Sequence, residues 1–378
     1  MLTRGFANRG QLARLATGTS TTIDTRSCDD GGRLLSRRYN DGVSETRTYN
    51  TDNTLAGIAF TGASIGDLSY GWDANKNKTS EAIAGTMSGY GFDVGAAGYD
   101  DEDRLINWNR DDNALDQAWN LSLVGDWNTF TENANVQPRT RTHGPTHELL
   151  TAAGQAVQHD AKGNQTSIPA VLRVSPSPSL PLSLHWDFEN KLRGADVDGD
   201  ATDDVTYQFD AMGRRVGRDD GTPATVFVQS GQQTIADYTA GTVASSPTYR
   251  YVYASYIDEP VMRAGSTSTA RLYYHRNQQY SVTALTDTTG SIVERYAYDA
   301  YGKLTVTDGA GTSVSGSAYG NRYTYTGREW DGELGLYHYR ARMYSPDSGR
   351  FVSRDPIGYE GGISLYRAYF LLQRSDRV

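Results

Sequence analysis

Five aspartates fall within nine residues near the middle of the chain, and they form the strongest metal-binding pattern in the sequence. They are Asp196, Asp198, Asp200, Asp203 and Asp204. Hard cations take several carboxylate oxygens at flexible spacing, so the run predicts a candidate calcium loop. It departs from an EF-hand because Gly199 precedes the third aspartate and no glutamate closes the loop. A solvated hairpin loop between Leu192 and Val205 is the alternative.

The other residues able to bind metal or act as nucleophiles are poorly placed. His143 and His147 are four apart, but Gly144 and Pro145 between them prevent the helix on which a zinc-binding histidine pair is usually carried. The single cysteine, Cys28, has no histidine near it in sequence to activate it. We therefore expect no zinc site and no cysteine nucleophile.

Composition excludes several classes of protein. The 378 residues carry a net charge of −9, which argues against a general phosphate-binding surface and hence against nucleic acid as a partner. No apolar run reaches membrane-spanning length, and the first twenty residues lack the apolar core of a signal peptide, so we expect this chain to continue a longer protein. The 26 tyrosines against 9 phenylalanines favour broad sheets, whose pleated surfaces suit tyrosine.

A short motif recurs along the chain and predicts the elements that would position these side chains. An Asp or Asn at position zero often follows a ring-bearing residue, with Gly, Asn or Asp three positions later, a polar residue at four and often an apolar one at five. Clear copies start at Asn50, Asp100, Asp187 and Asp299, and weaker ones at Asp29, Asp73, Asp160 and Asp210. The spacing predicts a hairpin corner: the Asx side chain accepts backbone N–H groups, and the third residue takes a left-handed conformation.

The segment 323–369 contains the densest pattern. Residues 337–344 alternate between two chemically distinct sets, which predicts one strand with two faces. The turn residues 345–349 and the extended residues 350–353 then predict a hairpin, closed by Asp355-Pro356-Ile357-Gly358.

This segment resembles the core signature of the RHS/YD-repeat family. The matching residues are Tyr325, Gly327, Asp331, Gly335, Leu336, Tyr337, Arg340, Arg342, Tyr344, Pro346, Gly349, Arg350, Phe351, Asp355, Pro356, Ile357 and Gly358. The resemblance implies an all-β fold of consecutive antiparallel hairpins, forming part of a curved YD-repeat shell. We divide the chain into a divergent repeat region (1–175), a repeat region leading into the core (176–322), the signature (323–369) and a divergent tail (370–378).

The resemblance also implies a candidate reaction. In relatives, the core ends in a self-cleaving aspartyl site, which makes Asp355 the candidate acid or base and Arg354 its neighbour. Such hydrolysis needs a second carboxylate close enough to share a proton. Asp376 lies at about the right distance along the chain, but the Pro-x-Gly-Leu of the family pattern does not follow it. We expect Asp355-Pro356 to be a structural turn and the chain not to be an enzyme.

The family role then gives the expected function: a structural segment of a shell that encapsulates and delivers a C-terminal toxin. By resemblance, the partners are that enclosed toxin segment and a secretion or surface apparatus, and the location is secreted or cell-surface. Two alternatives remain, an autoprotease at the core end and an adhesin that binds glycans or a neighbouring cell through its aromatic residues. A displaced gene remnant without a function of its own is also consistent with the sequence. No cofactor is expected other than calcium.

Overall fold

The structure is a computed structural model that describes residues 2–7, 10–17, 21–133, 139–173, 179–267 and 270–368. Its strands form four sheets, and every strand within a sheet pairs antiparallel with the next strand in the chain. This meander of hairpins is the all-β fold that the repeat spacing predicts. Short 3₁₀ turns at Gly85–Tyr90, Ala96–Gly98, Ala170–Leu172, Tyr325–Gly327 and Gly358–Gly361 are the helical elements of the described residues.

The first two sheets come from the amino-terminal part of the chain. The first contains β1 (Leu2–Phe6), β2 (Leu12–Thr17), β3 (Thr21–Cys28), β4 (Leu34–Tyr39), β5 (Ser44–Tyr49), β6 (Leu55–Thr61), β7 (Leu68–Trp72), β8 (Lys78–Ile83) and β9 (Phe92–Asp93). The second contains β10 (Asn107–Asn109), β11 (Asp116–Leu121), β12 (Trp127–Glu132), β13 (Arg139–His143), β14 (Leu149–Ala152) and β15 (Gln155–Ala156).

The third sheet is the largest, and the fourth is the small sheet of the signature segment. The third contains β16 (Gln158–His159), β17 (Gln165–Ile168), β18 (Leu182–Trp186), β19 (Leu192–Asp196), β20 (Val205–Phe209), β21 (Arg215–Asp219), β22 (Thr225–Ser230), β23 (Gln233–Thr239), β24 (Tyr249–Tyr253), β25 (Pro260–Ala264), β26 (Arg271–Arg276), β27 (Val282–Thr286), β28 (Ile292–Tyr298), β29 (Leu304–Asp308) and β30 (Ser313–Val314). The fourth, called the signature sheet below, contains β31 (Glu329–Asp331), β32 (Leu336–Tyr339), β33 (Arg342–Ser345) and β34 (Arg350–Phe351).

Each of the eight predicted repeat copies is a hairpin corner of one form. The residue three positions after the Asp or Asn has a positive φ in all eight, as at Asn53, Lys76 and Gly302. In seven of them the Asp side chain also accepts the N–H of the residue four positions later, at 2.8–3.0 Å. This is a type I turn followed by a left-handed residue that makes a bulge, so the Asp and the third residue are fixed by geometry.

Three further corners have the same geometry and were missed in the sequence. They start at Asn277, Asp287 and Asp308, and each Asx side chain accepts the N–H of the residue four positions later. No aromatic residue precedes them, since Arg276 and Thr286 precede the first two and a threonine precedes the third. The ring at the preceding position is therefore a separate feature from the turn itself.

That ring connects five of the eight repeats to an earlier corner. Tyr49, Trp72, Tyr99, Trp186 and Tyr298 each donate a hydrogen bond, at 2.7–2.9 Å, to a backbone oxygen of an earlier corner, five residues after its Asx. The acceptors are the carbonyls of Leu34, Leu55, Lys78, Gln165 and Val282. Phenylalanine cannot donate, which explains the preference for tyrosine and tryptophan here.

Phe209 occupies the same position of its repeat but cannot make this bond, so it offers a test. We expect Phe209→Tyr to stabilise the protein by about 1 kcal/mol by donating to the carbonyl of Leu192, and Tyr298→Phe to cost about as much. Urea unfolding midpoints of the two variants measure both effects. A destabilised Phe209→Tyr would contradict this account of the repeat.

The sheets pack against one another through separate apolar clusters. In one cluster, Leu15, Ile23 and Ile58 of the first sheet contact Met262 and Tyr273 of the third. In another, strands β14 to β20 pack on apolar residues of the signature segment. The third sheet thus lies against both the amino-terminal sheet and the signature sheet. The division of the chain into four domains stays a prediction.

Candidate functional site

The signature sheet is built from three consecutive hairpins, which corrects one sequence prediction. Residues 337–344 are not a single strand, because a two-residue turn at Arg340 and Ala341 separates β32 from β33. Arg340 has a φ of 60° there, a conformation that alternation of side chains cannot indicate. The predicted hairpin around residues 345–349 is confirmed, since β33 pairs with β34 through Tyr344 and Phe351.

Tyrosines on one face of this sheet are packed against a repeat corner of the third sheet. Tyr337 and Tyr344 are both 0% exposed. Their hydroxyls donate to the carbonyls of Gly302 and Tyr301, both at 2.8 Å. Burial is the main reason that the pKa of each hydroxyl lies well above its usual range, so both stay protonated as donors. The corner that begins at Asp299 is therefore a docking point for the signature sheet.

Buried ion pairs fix the signature sheet to residues far away in sequence. Asp331 accepts from Arg218 Nε at 2.9 Å and from the Tyr207 hydroxyl at 2.6 Å. Arg328 and Arg340 share the carboxylate of Asp258. Two more long-range pairs join Glu329 to Arg215 and Arg350 to Asp126, and Glu329 also pairs with the nearby Arg322. The charged residues of the signature segment thus make structural contacts to residues in or next to the second and third sheets.

The acidic members of these pairs are held in the ionised form. Burial alone would raise the pKa of Glu329, but Arg322 and Arg215 outweigh it and hold that pKa well below its usual range. The pKa of Asp331 is likewise lowered, because Arg218 outweighs the effect of burial. Their stabilising effect is therefore present above the pKa of the unfolded chain and is lost as the pH falls through the folded-state pKa.

Asp299 differs from these acids because it is partly buried and accepts from an amide and backbone N–H groups, not from a guanidinium. Its Oδ2 accepts from Gln117 at 2.8 Å, and its Oδ1 accepts the N–H groups of Tyr301 and Lys303. Burial raises its pKa to about 6, with these hydrogen bonds opposing the shift. The folded protein therefore binds this proton more tightly than the unfolded chain does, so stability from Asp299 falls as the pH rises from about 4 to 6.

We expect Asp299→Asn to remove this pH dependence. As the pH rises from 5 to 7, the free energy of unfolding of the variant should rise by about 1 kcal/mol relative to that of the unmodified protein. The new amide can donate to Gln117 Oε1, which is buried and has no partner. Urea midpoints at the two pH values measure the difference, and Asp187→Asn, in a half-exposed corner of the same form, controls for the turn itself. An unchanged pH trend would argue against a buried, protonated Asp299.

The residues of the predicted aspartyl site are oriented apart. Asp355 accepts from Arg342 at 3.0 Å and from the Ile357 N–H at 3.1 Å. Arg354 instead contacts the hydroxyls of Tyr366 and Thr146. Asp376 lies outside the described residues, so the pairing of two carboxylates stays a prediction. Among the described residues, the site consists of one carboxylate held by one guanidinium.

The structure brings together three of the five aspartates in the predicted calcium loop. Carboxylate oxygens of Asp196, Asp198 and Asp204 lie within 4.8 Å of one another. Asp203 points to His185 Nδ1 at 2.6 Å, and Asp200 accepts from the hydroxyl and N–H of a nearby threonine. The oxygens of Asp196 also accept backbone N–H groups of the loop. Calcium binding stays a prediction, for which calorimetry in millimolar calcium is the test.

Inspection of the sequence did not identify the residues that form ion pairs with the signature segment. Asp126, Arg218 and Asp258 fall in segments with no motif, and Arg218 is 113 residues from Asp331. His147 is one of the pair considered for zinc, but its Nδ1 lies 2.7 Å from Asp126. The unbalanced charges within the signature itself were the only signal that such partners exist.

Comparisons with known proteins agree with this fold. No family model matches the chain. The crystal structure of TcdB2-TccC3-Cdc42 superposes on 99% of the chain with a TM-score of 0.75 at 17% identity, and that of TcdB2-TccC3 gives 0.73 at 18% over 98%. In sequence, tRNA nuclease WapA of Bacillus subtilis is 28% identical over 219 residues, or 58% of the chain. These are RHS/YD-repeat proteins. The chain is similar to RHS/YD-repeat proteins in fold and over part of its sequence.

The chain corresponds to only a small part of these RHS/YD-repeat relatives. The match covers 8% of WapA and 20% of the TcdB2-TccC3 chain. Toxin subunit YenC1 of Yersinia entomophaga is 28% identical over 212 residues, which is 49% of this chain and 20% of YenC1. No helix in the described part of this chain is long and apolar enough to cross a membrane.

Proposed function

We propose that this chain is a section of the β-sheet wall of a toxin-carrying RHS/YD-repeat protein, with the signature sheet as the element at which the carried segment begins. The names of the relatives support a toxin system: one is a tRNA nuclease and another a toxin subunit. One matched structure is described as lacking its hypervariable C-terminal region. The partners of the assembled protein would be that carried segment and a secretion or surface apparatus, and its location extracellular.

The observation that carries this proposal is the burial of the last described residues. Tyr366 is 0% exposed and Ala368 is 3% exposed. Ala368 packs with Tyr344 and Phe351 of the signature sheet, and the Phe351 N–H donates to the Tyr366 carbonyl at 2.9 Å. The described chain therefore ends at a buried residue, which supports the proposal that a carried segment would begin in a shielded position.

A protease-sensitive passenger fused after residue 378 tests the proposal. We expect it to be cut several-fold more slowly than the same passenger inserted at Gly221, which lies in an exposed loop of the third sheet. Shielding by the wall is the reason, because proteases need an accessible, extended backbone. Equal cleavage rates at the two positions would remove the support for a carrying role.

Self-cleavage at the core end is the first alternative, and the contacts of Asp355 do not favour it. Its pairing with Arg342 suits a structural turn, in keeping with the expectation that the chain is not an enzyme. We expect the purified protein to keep its full mass of 41.4 kDa. Mass spectrometry after prolonged incubation is the measurement. A shortened product that disappears in Asp355→Asn would establish autoproteolysis instead.

Glycan or cell binding through aromatic faces is the second alternative. Most of the tyrosines for which burial can be given are packed inside, including Tyr39, Tyr207 and Tyr274, which leaves few faces free for stacking. We therefore assign the rings to packing between repeats. A glycan array is the test, and specific binding would support the alternative that the protein is an adhesin.

A further inference from the structure

A small cavity lies where the signature sheet, the second sheet and the end of the described chain meet. It has a volume of about 20 Å³. Its lining includes Trp127, Arg141, His143, Arg350, Ser364 and Arg367. We call it the junction cavity. It is distinct from the contacts of Asp355 and from the aspartate loop.

The lining of the junction cavity is positively charged. It includes three arginines, and none of the described residues that line it is an Asp or Glu. The nearby carboxylates bind other cations, since Asp126 binds Arg350 and His147, and Asp347 binds Lys303 through Oδ1 while its charge also acts on Arg141. Arg141 is only 7% exposed, and its guanidinium donates to neutral carbonyls, those of Asp347 and Ser348. A buried guanidinium thus lies here without a carboxylate of its own.

Two polar atoms at the junction cavity are buried without a partner. Arg141 Nε and Ser364 Oγ each lack a hydrogen-bond partner, and Ser364 is 6% exposed. Leaving such donors unpaired in the interior is unfavourable, so folded proteins normally provide an acceptor. Burial and the neighbouring Arg350 also lower the pKa of Arg141 to about 9 and that of His143 to about 4. Both shifts come first from burial, and Arg350 adds to them.

We propose that the junction cavity binds one small monovalent inorganic anion, of the size of chloride. A cavity needs about 10–15 Å³ to hold one water, so this one admits a single halide or about one water, and is too small for phosphate. A water could pair with Arg141 Nε and Ser364 Oγ, but it would leave the Arg141 guanidinium without an anion in direct contact. A halide accepts both donors and neutralises one positive charge. The anion would hold β13, the turn before Arg350 and the segment after Ser364 together.

Crystals of the unmodified protein grown with bromide in place of chloride test the site without any substitution. We expect an anomalous peak inside the junction cavity, in contact with Arg141 and Ser364. Density without an anomalous signal would show that water fills the cavity, and would overturn the proposal.

Stability in solution gives an independent test. At fixed ionic strength, replacing sodium gluconate by sodium chloride should raise the unfolding temperature in proportion to the logarithm of chloride concentration, because the anion binds only the folded state. Arg141→Met should lose this dependence. Arg139→Met removes the same charge from the same strand, where Arg139 pairs with Glu132 at 3.8 Å, and should keep it.

The two variants distinguish a bound anion from general screening. Equal chloride dependence in the unmodified protein and both variants would mean that salt acts on the surface at large, and no dependence in the unmodified protein would likewise contradict the proposal. If Arg141→Met does not fold, the bromide experiment decides alone.

Discussion

Replacing Glu259 by glutamine is expected to lower the free energy of unfolding by about 3–5 kcal/mol. Glu259 is 2% exposed and lies between three guanidiniums. Arg26 donates to it at 3.0 Å, Arg276 at 3.3 Å, and Arg37 also donates to it. Arg26 and Arg37 belong to the amino-terminal sheet, whereas Glu259 and Arg276 belong to the third. The substitution would leave buried positive charges facing one another between the two sheets.

The pH dependence of the same variant adds a second readout. Burial would raise the pKa of Glu259, but Arg37 and Arg26 outweigh it and hold that pKa well below its usual range. The contribution of Glu259 is thus present above about pH 4 and is lost as the pH falls further. Glu259→Gln should therefore show a shallower loss of stability in acid. Glu189→Gln, in an exposed repeat corner, is the matched control. Equal midpoints for the two variants in urea would contradict the role assigned to Glu259.

Replacing Asp331 by alanine is expected to lower the free energy of unfolding by about 3 kcal/mol and to release the signature sheet from the third sheet. The variant leaves Arg218 without its bidentate partner, whose bonds are 2.9 and 3.0 Å long, and removes the acceptor of the buried Tyr207 hydroxyl. Arg218 keeps Asp220 as a partner, which is why the expected cost lies below that of Glu259→Gln. Urea unfolding measures the loss.

The control for Asp331 is an exposed acid in an ion pair of similar length. Glu102 lies 3.0 Å from Arg104, but its side chain is 62% exposed, so Glu102→Ala should cost less than about 1 kcal/mol. A loss for Asp331→Ala no larger than that of the control would show that the signature is not held by this pair.

The repeat corners could be predicted from sequence because their chemistry is local. The Asp at position zero and the residue at position three, such as Asp100 and Asp103, are selected by one turn and its backbone bonds, so two residues suffice to recognise it. The corners at Asp287 and Asp308 were not recognised because no aromatic residue precedes them, and the turn itself does not need one. The preceding ring reports contact with the neighbouring repeat, which these two corners do not make through an aromatic residue.

The turn at Arg340 and the partners of the signature could not be predicted in this way. Alternation over 337–344 is preserved across a two-residue hairpin, so side-chain periodicity cannot distinguish one strand from two. The pairing of Arg340 with Asp258 joins residues 82 positions apart and depends on how the sheets pack. The predicted site at Asp355 rested on a family pattern, and its second carboxylate, Asp376, lies outside the described residues.

Hydrogen exchange of the signature sheet tests the central claim most directly, namely that this sheet is buried against the other sheets of the fold. The amides of Tyr337 and Tyr344 should exchange only through global unfolding, as slowly as those of strands in the third sheet, and Asp331→Ala should speed their exchange ahead of the rest of the fold. Exchange within seconds in the unmodified protein, as in an exposed hairpin, would contradict it.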